Sequence, residues 1–268
     1  LYADDTTLIA KGKTVEEAIK KANDNISSLR TWLEKNELVL NEKKTQSMTF
    51  SLIEKKTEDT TRFLGVTLDC RLSWKCHVQT LSNQLSHTIF LLRKLREEVP
   101  IEVIKTAYYG LFHSRMAYGI ELWGGTSDAY IIFRLQKKAI RAIMKKNARE
   151  SCRPFFRELR IMTLSLVFIF KHSLNKKKDM LLDVRGDKHI HNLRNEEDLC
   201  VPYKRLVMSD FHSSVISVKI FNKIPSRIRQ LSEKHFKQSV SEFLIKNCFY
   251  DIKDFLNTKW SDEQFHVM

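Results

Sequence analysis

Two carboxylates stand side by side at Asp4-Asp5, directly after Tyr2-Ala3 and before Thr6-Thr7-Leu8-Ile9-Ala10. The β-branched and apolar residues around them predict strand, tight turn, strand over residues 1–10, with both aspartates at the turn. A rigid turn carrying two hard-oxygen ligands suits Mg²⁺, which is commonly held by one or two carboxylates plus substrate phosphates. Two such ions roughly 3.5–4 Å apart activate a hydroxyl and stabilise a leaving oxygen in phosphoryl transfer. The pair has an ordinary reading too, as an acidic β-turn. A second set of residues suits binding. Arg134, Lys137, Lys138, Arg141 and Lys145 recur at i, i+3, i+4, i+7 and i+11. That spacing puts positive charge and no acid on one helical face, with Ile132, Leu135, Ala139, Ala142 and Ile143 opposite. Such a stripe can grip phosphates without reading sequence; the alternative is a solvated face.

The elements that must position these groups follow from pattern. Thr14-Val15-Glu16-Glu17 is a capping box, in which the Thr hydroxyl accepts from a first-turn amide while Glu17 reaches back to the cap amide. Val15, Ile19, Ala22, Ile26, Leu29 and Leu33 then form one apolar face, expected to pack on a sheet, and Asn36 is the expected stop. Two strands are predicted near Gln46–Phe50 and Arg62–Leu68. Trp74, Val78, Leu81, Leu85, Ile89, Leu92 and Leu95 mark a long helix ending before Pro100. The next helix runs from Ile101 to about Tyr118 and is apolar over much of its circumference, as the centre of a bundle would be. Gly124-Gly125 breaks the chain, and Ser127 can cap the helix of the basic stripe, predicted to reach about Asn147. Residues 151–182 read as shorter helices and Asp183–Glu197 as a linker or mobile loop. Ser213–Phe221 and Glu233–Lys246 read as helices with Pro225 between them. The fold class is therefore α+β, mostly α.

Composition bounds the partners. The 268-residue chain carries a net charge of +14, which favours polyanions or an anionic surface. Its 43% hydrophobic content supports a packed core, and only seven Gly and four Pro favour long helices. Cys70, Cys76, Cys152, Cys200 and Cys248 show no C-x-x-C and no zinc spacing, so they suit free thiols in a reducing, intracellular compartment, nucleus or cytoplasm. Leu164–Phe170 is too short to span a membrane, and no membrane partner is expected. His77, His113 and His172 lack partners at ligand spacing and are assigned no metal. Trp74, His77 and Trp123 read as core.

Tyr2-Ala3-Asp4-Asp5 resembles the catalytic YxDD box of reverse transcriptases. Trp32-Leu33, Asn36, Leu38, Leu40-Asn41 and Lys44-Thr45 are similar to the following palm motif of the non-LTR retrotransposon (LINE-type) enzymes. Phe63-Leu64-Gly65-Val66-Thr67-Leu68-Asp69 resembles their primer-grip segment, and Leu72, Trp74 and His77 follow in the family's order. Tyr118-Gly119-Ile120, Trp123-Gly124 and Leu135-Gln136-Lys137-Lys138-Ala139-Ile140-Arg141 resemble the post-palm region of jockey-like elements. A weaker likeness continues through Pro154-Phe155-Phe156 and Asn222 to Pro225.

The resemblance implies an RNA-directed DNA polymerase, acting on an RNA template, a DNA primer and dNTPs with Mg²⁺. It implies metal ligation by Asp4 and Asp5, and a general-acid role for Lys44 toward leaving pyrophosphate, against the reading of Lys44 as a surface lysine. Phe63, Leu64 and Gly65 would be the primer grip, a role compatible with an ordinary buried strand with a bulge. The arrangement expected is the C-terminal part of a palm over 1–70, a helical thumb over 71–150 tracking the RNA–DNA duplex, and a helical C-terminal domain over 151–268. A further catalytic aspartate and the fingers of the family would lie before Leu1. The chain thus reads as a C-terminal fragment, inactive alone. The rival readings are a non-catalytic basic nucleic-acid-binding remnant and a decayed retroelement product without function.

Overall fold

Thr14 begins the first element as its capping box requires. In a computed structural model, which describes residues 6–50, 60–179, 197–203 and 213–258, helix α1 spans Val15–Lys35. The Glu17 amide donates to Thr14 Oγ1 at 3.2 Å. The Glu17 carboxylate accepts from the Lys13 amide at 2.8 Å, one residue before the cap rather than at the cap itself. The helix stops at Asn36 as expected. Glu37 takes left-handed backbone (φ 57°), and the Leu38 and Glu37 amides donate to Leu33 O at 2.9 Å and Glu34 O at 3.1 Å. This is a Schellman end built on a glutamate instead of a glycine. No residue of α1 is buried, so its apolar face has no sheet against it among the described residues.

The strand expectations change. Of the hairpin expected over residues 1–10, the first strand and turn lie outside the described residues, and Thr6–Ala10 is not in a strand; Gln46–Phe50 is not in a strand either, having no paired neighbour among the described residues. The single strand expected over Arg62–Leu68 is an antiparallel hairpin of β1 (Thr60–Phe63) and β2 (Val66–Asp69), with Phe63 opposite Val66. Leu64 (φ 46°) and Gly65 (φ 78°) form its two-residue turn. Positive φ at both central positions is what lets such a turn match the twist of its strands.

The chain divides into two compact units, residues 1–76 and 77–268. The second is helical. Helix α2 (Lys75–Glu98) buries Val78, Leu81, Leu85, Ile89 and Leu92 of the column expected from spacing, but Leu95 near its end is exposed and Trp74 precedes the helix in left-handed backbone. The run after Pro100 is one helical stretch in three parts: α3 (Ile101–Ala107), a π-helical segment (Tyr108–His113) and α4 (Ser114–Ala117). Apolar over much of its circumference, it is nevertheless not buried all round as the centre of a bundle would be, since Val103 and Leu111 are exposed. Its buried column is Ile104, Tyr108, Phe112 and Met116, each 0% exposed and each four residues apart. In an α-helix a four-residue step overshoots one turn by about 40°, so three steps would turn the column by about 120°. The wider i→i+5 turns of the π segment absorb that drift and keep all four side chains facing inward.

Helices α5 (Ile120–Trp123), α6 (Ala129–Ile143), α7 (Arg153–Glu158) and α8 (Leu164–Lys178) follow. Buried residues occur all round the first part of α8, including Leu164, Leu166, Val167, Phe168 and Ile169. It accordingly forms the centre of the unit, touched by α4, α5, α6, α9 (Ser213–Lys223), α11 (Glu233–Asn247) and α12 (Ile252–Asn257). The short α10 (Ser226–Arg229) follows Pro225. Arg229 fixes this corner, donating to Asp198 Oδ1 at 2.9 Å and to Glu197 O at 2.9 Å. The expected loop over Asp183–Glu197 lies almost wholly outside the described residues. All five cysteines are free thiols, and no described helix is long and apolar enough to cross a membrane.

Candidate nucleic-acid interface

Helix α6 presents the basic face because its other side is anchored. Ile132, Phe133, Leu135, Ala139, Ile140 and Ile143 are buried, and among them sits Gln136 at 0% exposure. Its Nε2 donates to Tyr108 Oη at 2.9 Å and to Met162 O at 2.9 Å, and its Oε1 accepts from the Leu164 amide at 2.8 Å. One side chain thus ties α6 to the π segment and to the start of α8, with every polar atom of the amide used. At the far end Arg96 Nε, from α2, donates to Ile143 O at 2.7 Å and satisfies a terminal carbonyl.

The five stripe residues do not share one environment. Arg134 and Lys138 are exposed, and neither has an ion-pair partner among the described residues. Lys137 is half-buried, its Nζ 4.7 Å from the Phe133 ring centroid and 5.7 Å from that of Tyr250. Arg141 is half-buried too, donating through Nε and Nη2 to Glu150 O at 3.0 and 2.8 Å. Lys145 lies beyond the helix, which ends four residues before Asn147. It is the left-handed residue (φ 52°) of a second Schellman end, in which the Lys146 amide donates to Arg141 O at 2.9 Å. Its Nζ reaches Glu97 at 3.1 Å. Ser127 does not cap α6; Asp128 stands at the cap without a side-chain hydrogen bond. Tyr130 belongs to the same outer face and was not legible as part of it from charge alone.

In the helical unit the displaced titrations come from burial. It pushes the Tyr250 hydroxyl up to about 12 and the Cys248 thiol up to about 11, with nearby Arg153 opposing both. The Cys152 thiol is also raised by burial, against Arg141 and Lys137. Burial lowers His172 to about 4, with Glu121 opposing. All four groups are neutral near pH 7, which suits packing more than proton transfer.

In the first unit, Asp4 and Asp5 lie outside the described residues. Lys44 is exposed in a turn, its amide donating to Asn41 Oδ1 at 3.2 Å. Phe63, Leu64 and Gly65 form the tip of the β1–β2 hairpin, with the Phe63 ring exposed. Asp69 ends that hairpin and accepts from the Arg71, Ser73 and Trp74 amides at 3.1, 3.0 and 3.0 Å and from Ser73 Oγ at 3.1 Å. Burial raises its pKa, but these hydrogen bonds outweigh that and hold the carboxyl below its ordinary value. They also hold the left-handed backbone of Leu72 (φ 53°) and Trp74 (φ 66°). No cluster of three His, Cys, Asp or Glu side chains placed to hold a metal ion occurs among the described residues.

No family model and no solved structure matches the chain. Two curated proteins of Drosophila melanogaster are similar to it. The probable RNA-directed DNA polymerase from transposon X-element is 23% identical over 223 residues, 76% of this chain and 24% of that protein. The probable RNA-directed DNA polymerase from transposon BS is 26% identical over 161 residues, 53% of this chain and 18% of that protein. The chain spans about a quarter or less of the length of these relatives. Over most of its length the chain is thus similar to a probable RNA-directed DNA polymerase from a transposon.

Proposed function

We propose that this chain is a segment of a non-LTR retrotransposon reverse transcriptase. Residues 1–70 would be the C-terminal part of the palm, 71–150 a thumb-like region and 151–268 a helical C-terminal region. The observation that carries the reading is the similarity to two transposon polymerases, which extends over 76% of the chain for one of them. The open charges of Arg134 and Lys138 support a role for α6 in holding an RNA–DNA duplex by its phosphates. Asp4 and Asp5 have the hard-oxygen chemistry that Mg²⁺ requires and would hold it. The metal would supply charge stabilisation during nucleotidyl transfer from a dNTP to the primer end. Lys44 would donate a proton to the leaving pyrophosphate. Phe63, Leu64 and Gly65, at an exposed hairpin tip, would lie against the primer strand.

The nucleic-acid reading is tested by anisotropy of a labelled RNA–DNA hybrid titrated with salt. On B-form DNA the slope of log K against log salt is about −0.9 per phosphate neutralised. The Arg134→Gln/Lys138→Gln variant should flatten the slope by about two units while far-UV circular dichroism stays unchanged. Unchanged slope in the folded variant overturns the assignment. In a full-length polymerase carrying this segment, Asp4→Asn should abolish RNA-templated primer extension, and retained turnover refutes its catalytic role.

A further inference from the structure

The outer face of α6 carries a large aromatic that the packing does not use. Phe133 turns inward, 6.4 Å from Phe156 and 5.0 Å from Tyr250 between ring centroids. Tyr130 points the other way and is 59% exposed. Arg134 and Lys138 follow it at i+4 and i+8, both exposed, so the three side chains line one ridge about 12 Å long. Lys137 Nζ stands 5.6 Å from the Tyr130 ring centroid and adds positive charge beside it. Ala129–Arg149 contains no Asp or Glu, so the ridge carries no acid of its own helix.

An open aromatic ring set in a row of cations fits one class of partner. Cations alone serve duplex and single strand equally, since both display phosphates. A duplex hides the faces of its bases inside the stack, whereas an unpaired base offers a π-face for an aromatic side chain. The two open cations can therefore serve the duplex phosphates and those of a single strand alike, whereas the stacking ring adds nothing on a perfect duplex and is of use only to unpaired nucleotides.

We infer that the α6 ridge binds single-stranded nucleic acid, with Tyr130 stacking on an unpaired base while Arg134 and Lys138 hold the neighbouring phosphates. This rests on the reading of α6 as a phosphate-holding face and extends it from the duplex to a strand with free bases. It names Tyr130 as the residue that separates single strand from duplex.

Fluorescence anisotropy on the full chain tests it with three probes: a 12-nucleotide oligo-rU, a 12-nucleotide oligo-dT and a 12-base-pair RNA–DNA hybrid. Tyr130→Ala should weaken binding of at least one single-stranded probe about 5-fold or more, the low end of base–aromatic stacking, and change the hybrid less than about 2-fold. The salt slope should not move, because no phosphate contact is lost. Tyr130→Phe, which keeps the ring, should bind as the wild type does. Comparing oligo-rU with oligo-dT tells whether the ridge takes RNA, DNA or both. Equal weakening on all three probes, or no weakening on either single strand, overturns the role of Tyr130. The underlying reading fails separately, if Arg134→Gln/Lys138→Gln leaves the salt slope unchanged on every probe.

Discussion

Gln136 should be among the most sensitive single positions in the helical unit. Replacing it with Leu keeps the volume close but removes three hydrogen bonds, to Tyr108 Oη, Met162 O and the Leu164 amide. Tyr108 is 0% exposed, and the hydroxyl left behind has no water to turn to. The Leu164 amide loses its acceptor at the N-terminus of the central helix. A buried donor or acceptor left unpaired costs about 1–3 kcal/mol. Met162 O, at a half-buried residue, can recover some solvation, so the total expected is about 3–5 kcal/mol. Tyr108→Phe alone should cost about 1 kcal/mol, because the amide of Gln136 keeps Met162 O as an acceptor. In the double variant the stranded hydroxyl is gone as well. The two changes should therefore be less costly together than their sum, by about 1–2 kcal/mol. Urea unfolding followed by far-UV circular dichroism measures all four corners of the cycle. A loss below about 1 kcal/mol for Gln136→Leu, or no coupling to Tyr108→Phe, refutes the idea that this amide clamps α6 to the π segment and α8.

Asp69→Asn should destabilise the first unit by about 2 kcal/mol at pH 7, through loss of charge-assisted hydrogen bonds. The folded pKa of Asp69 is depressed below an unfolded value of about 3.9, so its contribution is fully present above that pH and is lost as pH falls through the folded pKa. Urea midpoints of wild type and variant should converge in acid; a constant gap across pH would show that the carboxylate charge is not what the four donors recognise. Gly110→Ala should raise stability by about 0.5–1 kcal/mol, because a Cβ there meets nothing within 4 Å and Ala loses less backbone freedom. A lowered melting temperature would mean that the π segment needs the freedom of glycine.

Much of the helical architecture is written in local pattern. The capping box at Thr14, the apolar column of α2 and the break at Pro100 all rest on contacts within one turn or one face, which spacing reveals. The helix ends are less legible. Glu37, Lys145 and Arg160 each take left-handed backbone at a helix stop. In a chain with seven glycines the usual stop signal is absent, and α6 therefore reads four residues too long. Leu64-Gly65 sits inside an apolar run that reads as one strand, and only pairing reveals the turn. The stripe on α6 was legible as charge. Its division into open and engaged cations was not, because Lys137 meets Tyr250, Lys145 meets Glu97 and Arg141 meets Glu150 through tertiary contacts. Gln136 was within reach of spacing, since it falls on the apolar face between Ile132 and Ile140. Asp4 and Asp5 lie outside the described residues.

The π-helical segment bears on how this chain tolerates insertion and deletion. A turn closed by i→i+5 hydrogen bonds holds one residue more than a turn closed by i→i+4. A single residue removed between Tyr108 and His113 can be absorbed by reverting one wide turn to an ordinary one, with both flanks left in phase. Removal anywhere else in α3 or α4 would rotate the remaining helix by about 100° and swing part of the buried column toward solvent. A one-residue gap between this chain and a relative is therefore cheapest at Tyr108–His113, and an alignment that places it a turn to either side would misassign the inward-facing positions beyond it.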